Sequence, residues 1–169
     1  MVRKLLLVAA VLTLAACQMA PRAQVGADGN AIPVAYRISP RDAAVIPDRV
    51  LQQVNLLRSQ SGLGPMTLSP QLAAAATAHS RDMSAQNRAW HFGSDGSSPL
   101  DRVRRQGYAG NLVGEDISET YENEIATLGA WMQTRDTRDM LMDPNAREMG
   151  LGWFQEPSNK IWWTVVIGG

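Results

Sequence analysis

The chain has one cysteine, Cys17, in 169 residues, so it can close no internal disulfide and must be held together by packing. Histidine is nearly as scarce, with His79 and His91 the only two. A stable zinc site draws three or four ligands, mostly imidazole, thiolate or carboxylate, and that supply is thin here. There is no His-Glu-x-x-His string and no serine in a Gly-x-Ser-x-Gly elbow, so two signatures of hydrolases are missing. Net charge is lacking too, with 16 basic and 16 acidic side chains. Without a positive excess or a block of like charge, no nucleic-acid partner is expected. The apolar run from Leu5 to Ala16, broken only by Thr13, is shorter than the about 20 residues of a membrane-spanning helix. Two phenylalanines stand against five tryptophans, large flat side chains that could line a groove or fill a small core.

What is present begins at the N-terminus. Arg3 and Lys4 precede the apolar run, which closes on Leu14-Ala15-Ala16-Cys17. That order reads as a bacterial export signal. Its end resembles a lipobox, in which the cysteine thiol receives diacylglycerol and the new N-terminus is acylated. Several acyl chains hold a protein at a membrane far more firmly than one, at about 0.8 kcal/mol per buried methylene. Gln18 stands where an aspartate would favour retention at the inner membrane, so the expectation is an outer-membrane anchor facing the periplasm. Cleavage before Cys17 removes Arg3 and Lys4, leaving 14 basic against 16 acidic side chains. The expected organisation is a signal over 1–16, a lipidated tether over 17–42 rich in proline and glycine, and one domain over 43–169.

Within that domain, Pro47 suits the first turn of a helix whose apolar stripe runs through Val50, Val54 and Leu57. Gly62 to Pro65 stops it. Ser69-Pro70 starts a second helix, with Leu72, Ala76, His79 and Met83 on one face and alanines at 73–76 and 78 permitting close approach. Ser98-Pro99 starts a short helix that ends at Gly107. A bend or short strand is expected over 111–117 and a helix over about 121–133. Strands are expected over 149–154 and 161–167. Helices first and strands last predict an α+β fold, a small antiparallel sheet covered by helices.

Several strings then arrive in a familiar order: Val54-Asn55-Leu56-Leu57-Arg58, Gly62-Leu63-Gly64-Pro65-Met66, His79-Ser80-Arg81-Asp82-Met83, His91 to Ser97, Gly114-Glu115-Asp116-Ile117, Gly150-Leu151-Gly152 and Trp163-Thr164-Val165-Val166. Over about residues 47–168 they resemble the bacterial branch of the CAP (SCP-domain) superfamily of cysteine-rich secretory, antigen 5 and pathogenesis-related proteins. The resemblance implies a three-layer α-β-α sandwich with a small central antiparallel sheet and an open cleft holding two histidines and two glutamates. His91 matches the first histidine and Glu115 one glutamate, with Asp116 where asparagine is usual. Thr137 stands where bacterial relatives carry the second histidine. The second glutamate has no clear match, with Glu119, Glu122 and Glu124 nearby. Two ligands and a threonine make a poor zinc site, so no metal or other cofactor is expected.

His91 has two readings, a polar anchor or base in the cleft and a staple between the glycine-serine loop and the Gly114-Glu115 bend. His79 is expected to be a satisfied core histidine. A buried Glu115 needs partners, with the first helix and His91 as suppliers. Asp116 is expected to accept loop hydrogen bonds, Trp90 to face either cleft or core, and Arg102, Arg104 and Arg105 to form solvated surface. The resulting expectation is a lipid-anchored envelope binding module. Its cleft residues are His91, Glu115, Trp90, Asp116 and Thr137, and it takes a lipid-like, glycan or protein ligand. Two alternatives stand beside it. One is catalysis by His91 and Glu115 in a peptidase or wall hydrolase, with Ser94, Ser97 or Ser98 as the nucleophile. The other is a non-catalytic scaffold.

Overall fold

The computed structural model describes residues 36–169 together with the strands Gln24–Val25 (β1) and Ala31–Ile32 (β2). These two strands pair antiparallel within the unit 1–34. The expected signal over 1–16, Cys17 and most of the expected tether lie outside the described residues. The second unit, Ala35–Gly169, begins eight residues before the expected domain start, and Tyr36 and Ile38 pack on its core.

Helix α1 spans Pro40–Gln60, not from Pro47. Ser39 and Asp42 form a reciprocal capping box with proline in the first turn, a stronger start than Pro47 offers. Pro47 lies inside the helix. Strand β3 (Thr67–Leu68) leads into α2 (Pro70–Gln86), capped by Ser69. Helix α3 (Pro99–Arg105) has its own capping box, Ser98 with Asp101. The expected bend is a nine-residue strand, β4 (Leu112–Thr120). Helix α4 (Glu124–Gln133) starts three residues later than expected because Asn123 caps the amides of Ile125 and Ala126. Helix α5 (Arg135–Leu141), β5 (Glu148–Gln155) and β6 (Ile161–Gly168) follow.

The sheet order is β3-β5-β6-β4. It is antiparallel except for two-residue β3, which runs parallel to β5 because α2 to α5 all intervene as a crossover. Side chains alternate across it. Met149, Leu151, Trp163, Val165 and Ile167 join α1, α4 and α5 in the larger core, while Val166 joins Leu72, Ala75 and Ala76 of α2 with Val103 of α3. The result is the α+β sandwich that the sequence predicts. Of the two places open to the tryptophans, Trp131 and Trp163 take the core. The alanines of α2 meet two glycines of β5. A Cβ on Gly150 would lie 2.1 Å from the Ala73 amide nitrogen, and one on Gly152 2.1 Å from that of Thr77.

Candidate functional site

Strand β4 is an edge of the sheet, and its register slips between Leu112 and Gly114, a bulge of the kind that re-aims side chains near sites. Beyond it Glu115 pairs with Val166 and Asp116 with Val165. The alternation of a strand therefore sends Glu115 toward α2 and α3, and Asp116 toward α4 and α5.

The Glu115 carboxylate is almost fully buried. Arg102 Nη2 donates to both of its oxygens, at 2.8 and 2.7 Å. His91 Nδ1 donates to Oε1 at 3.0 Å, and His79 Nε2 stands 3.6 Å from the same oxygen. Leaving one member of a buried ion pair alone costs about 3–5 kcal/mol, so Arg102 is the partner that makes burial of Glu115 tenable. The suppliers are thus α2, α3 and the loop after α2, not the first helix. Arg102 itself is buried, and its Nη1 holds the Ser97 carbonyl, which corrects its reading as solvated surface.

The two histidines answer this carboxylate in opposite ways. The hydrogen bond to Glu115 raises the pKa of half-exposed His91. Burial lowers that of His79, whose Nε2–H is given to the Trp90 carbonyl at 3.0 Å. His79 is a core histidine, as expected, yet it also stands behind the site. Sequence spacing placed it on the inner face of α2 but carried no sign of Glu115 beyond.

A cavity of about 260 Å³ opens beside β4, lined by His91, Val113, Glu115, Asp116, Thr137 and Met140. Asp116 is 7% exposed. Its Oδ1 accepts from the Ile117 amide at 2.8 Å, a local bond within the strand, while Oδ2 has no partner. Burial pushes its pKa up to about 6. Thr137 reaches the cavity wall, but its hydroxyl donates to the carbonyls of Trp131 and Thr134. Trp90 is not brought to this wall. Its indole N–H donates to Gln86, its ring lies under Arg88, and Phe92 packs at 5.8 Å.

Other expected participants are also elsewhere. Glu124 is buried against Arg49, Glu119 pairs with Lys160 at 3.0 Å, and Glu122 is exposed. The hydroxyls of Ser94 and Ser98 donate to Asp82 and Asp101, directions that do not lead to His91.

A model of the cysteine-rich secretory protein family matches residues 51–167, the two core layers and the cleft together. The chain belongs to that family. Among relatives of the family, the uncharacterized protein YkwD of Bacillus subtilis is 27% identical over 130 residues, 77% of this chain and 50% of that protein. An uncharacterized membrane protein of Bacillus subtilis, YlbC, is 25% identical over 62% of this chain and 30% of its own length. The chain thus spans half or less of the curated relatives it matches. Solved folds agree. An outer surface protein from Borrelia burgdorferi superposes with a TM-score of 0.69 at 16% identity, covering 75% of this chain and 94% of that one. An extracellular SCP-domain protein from Bacillus anthracis gives 0.64 at 24%, covering 79% and 45%.

Of the two histidines and two glutamates that the resemblance implies, the cavity holds His91 and Glu115. Glu115 is engaged by Arg102, and the Thr137 hydroxyl is turned to helix carbonyls, so these side chains do not fit a zinc ion. Among the described residues, no group of three or more His, Cys, Asp and Glu side chains is arranged to hold a metal.

Proposed function

We propose that this member of the family is a binding module of the bacterial cell envelope, lipid-anchored through acyl chains on Cys17 at the outer membrane and facing the periplasm. Its cleft beside His91 takes a small amphipathic ligand of lipid-like character, rather than a glycan or a protein. The observation that carries this reading is the division of labour between adjacent carboxylates. Glu115 is saturated by Arg102 and His91, which leaves it poorly suited to proton abstraction. Asp116 keeps one buried oxygen without a partner, and both line a cavity that Val113 and Met140 make partly apolar. Asp136 and Thr137 line it too, so the polar end of an amphipathic ligand would meet these side chains and His91 while its apolar part rests on Val113 and Met140. Descriptions of two fold relatives as outer surface and extracellular proteins support the envelope placement, and the lipobox-like string supports the anchor.

Native mass spectrometry of the full-length chain, extracted from membranes in mild detergent, tests both parts. The expected result is a chain carrying acyl mass and a further noncovalent lipid-like mass. A Cys17→Ser variant should lose the acyl mass and leave the membrane fraction. A folded His91→Ala variant should lose the noncovalent mass. Retention of that mass without His91, or turnover of a peptide or wall fragment that ceases in His91→Ala, would overturn the binding reading.

A further inference from the structure

The charges along the cavity beside β4 are one-sided. Glu115, Asp116 and Asp136 all line it, and among the described residues that do so none is arginine or lysine. Glu115 is cancelled by the Arg102 guanidinium behind it. Asp136, exposed in the first turn of α5, is not. The arginines that flank it, Arg135 and Arg138, both turn to Asp139, at 3.5 and 3.4 Å. Among the described residues, no cation pairs with Asp136 itself. The positive end of a helix answers about half a charge at most, so α5 leaves Asp136 largely unbalanced. Asp116, on β4, is buried and its Oδ2 has no partner. That oxygen needs no contact with a ligand to matter, because a charge in a poorly polarisable setting acts through space.

The balance is negative. Above about pH 6 Asp116 is ionised, and with Asp136 it sets two negative charges against at most one positive charge from His91. The lining also limits the kind of cation that fits. None of its described residues is aromatic, and Trp90 is held elsewhere by Gln86 and Arg88. Quaternary ammonium groups are recognised on aromatic faces, which are missing here. A primary ammonium carries three N–H donors, and a free carboxylate accepts them in charge-assisted hydrogen bonds.

We infer that this cleft, on its reading as an amphiphile site, selects ligands whose head is a primary ammonium, which donates to Asp136 while the chain lies on Val113 and Met140. A fatty-acid carboxylate would meet like charge in the same place.

The test uses the full-length chain with ¹⁵N-labelled histidine in a nonionic detergent at about pH 8. It is titrated with octylamine, octanoate, octyltrimethylammonium and octanol, which share one chain length and differ in the head. Equilibrium dialysis fixes the free concentrations. Saturable shifts of the His91 resonances should give octylamine an affinity at least about tenfold above octanoate and about threefold above octyltrimethylammonium. Asp136→Asn, at an exposed position without an ion-pair partner, should weaken octylamine at least about fivefold and leave octanol unchanged. Asp136→Lys should place octanoate ahead of octylamine. Binding of octanol with equal affinities for octylamine and octanoate would overturn the ammonium head and leave the amphipathic reading in place. Saturation by none of the four would overturn both. A preference for octylamine that survives both Asp136 variants, or one matched by octyltrimethylammonium, also overturns the ammonium assignment.

Discussion

At Asp116 one carboxylate oxygen is held by the next amide while the other is buried alone, and burial lifts the pKa from 3.8 to about 6. A folded-state pKa above the unfolded one contributes stability that is fully present below about 3.8 and lost as pH rises through about 6. About two units at 1.36 kcal/mol each make the loss about 2–3 kcal/mol. Asp116→Asn keeps the acceptor for the Ile117 amide and removes the charge. Urea unfolding should therefore find the Asp116→Asn variant more stable than the parent by about 2–3 kcal/mol well above pH 6, and equal to it below about pH 3.8. The opposite pH trend of His79, whose lowered pKa costs stability as pH falls below about 6.5, cancels in this comparison. A difference independent of pH would mean that Asp116 is not buried as a charge. The departure from the usual asparagine was visible in the sequence, and so were His91 and Glu115. Arg102 was not, because it sits in a run with Arg104 and Arg105 whose charges look alike. Only its position beside buried Val103, and the need of Glu115 for a cation, distinguish it.

Helix α2 rests directly on the backbone of β5, so the sandwich is thinnest where Gly150 and Gly152 face the alanine run. Gly152→Ala would set a methyl against helix backbone, which cannot give as a side chain tip can. Its cost should reach or exceed the about 1–3 kcal/mol usual for overpacking. Gly129, inside α4, has nothing within 4 Å of an added Cβ, and Gly129→Ala should stabilise by about 0.5–1 kcal/mol. Thermal unfolding of the two variants beside the parent checks the contrast, and shifts of the same sign would refute it. The close approach was legible from the alanines and from Gly150-Leu151-Gly152. Strand β4 was harder to read, since Gly114, Glu115 and Asp116 are poor strand formers. It is ordered by pairing along β6, a partner more than 40 positions later that local propensity does not register. The start of α1 was missed for a plainer reason, a proline at 47 that competed with the better-capped proline at 40.

Across the whole molecule, fully buried Arg58 gathers distant segments. Its Nε donates to the Gly64 carbonyl at 2.8 Å, Nη1 to Leu141 and Asp143, and Nη2 to Ala146 at 3.2 Å. In the sequence Arg58 directly follows Leu57 of the apolar stripe, and nothing there shows that the turn before β5 closes over it. Arg58→Met should destabilise by at least about 3 kcal/mol, because several carbonyls lose their donor together. Arg58→Lys should recover little, lacking the planar fork. Urea unfolding measures the loss, and hydrogen exchange over 141–146 should speed up in both variants. Unchanged exchange there would show that the turn stands without the arginine. The same arrangement governs when the molecule is finished. Arg58 waits for carbonyls 83 to 88 positions further on, and β6, made after both of its neighbours, lies between β5 and β4. As synthesis proceeds, no early fragment has the four-stranded sheet to rest on, and a chain cut before Ile161 leaves β4 with no neighbour. A copy that stops short of β6 should therefore be open to proteases where a copy that includes it is closed.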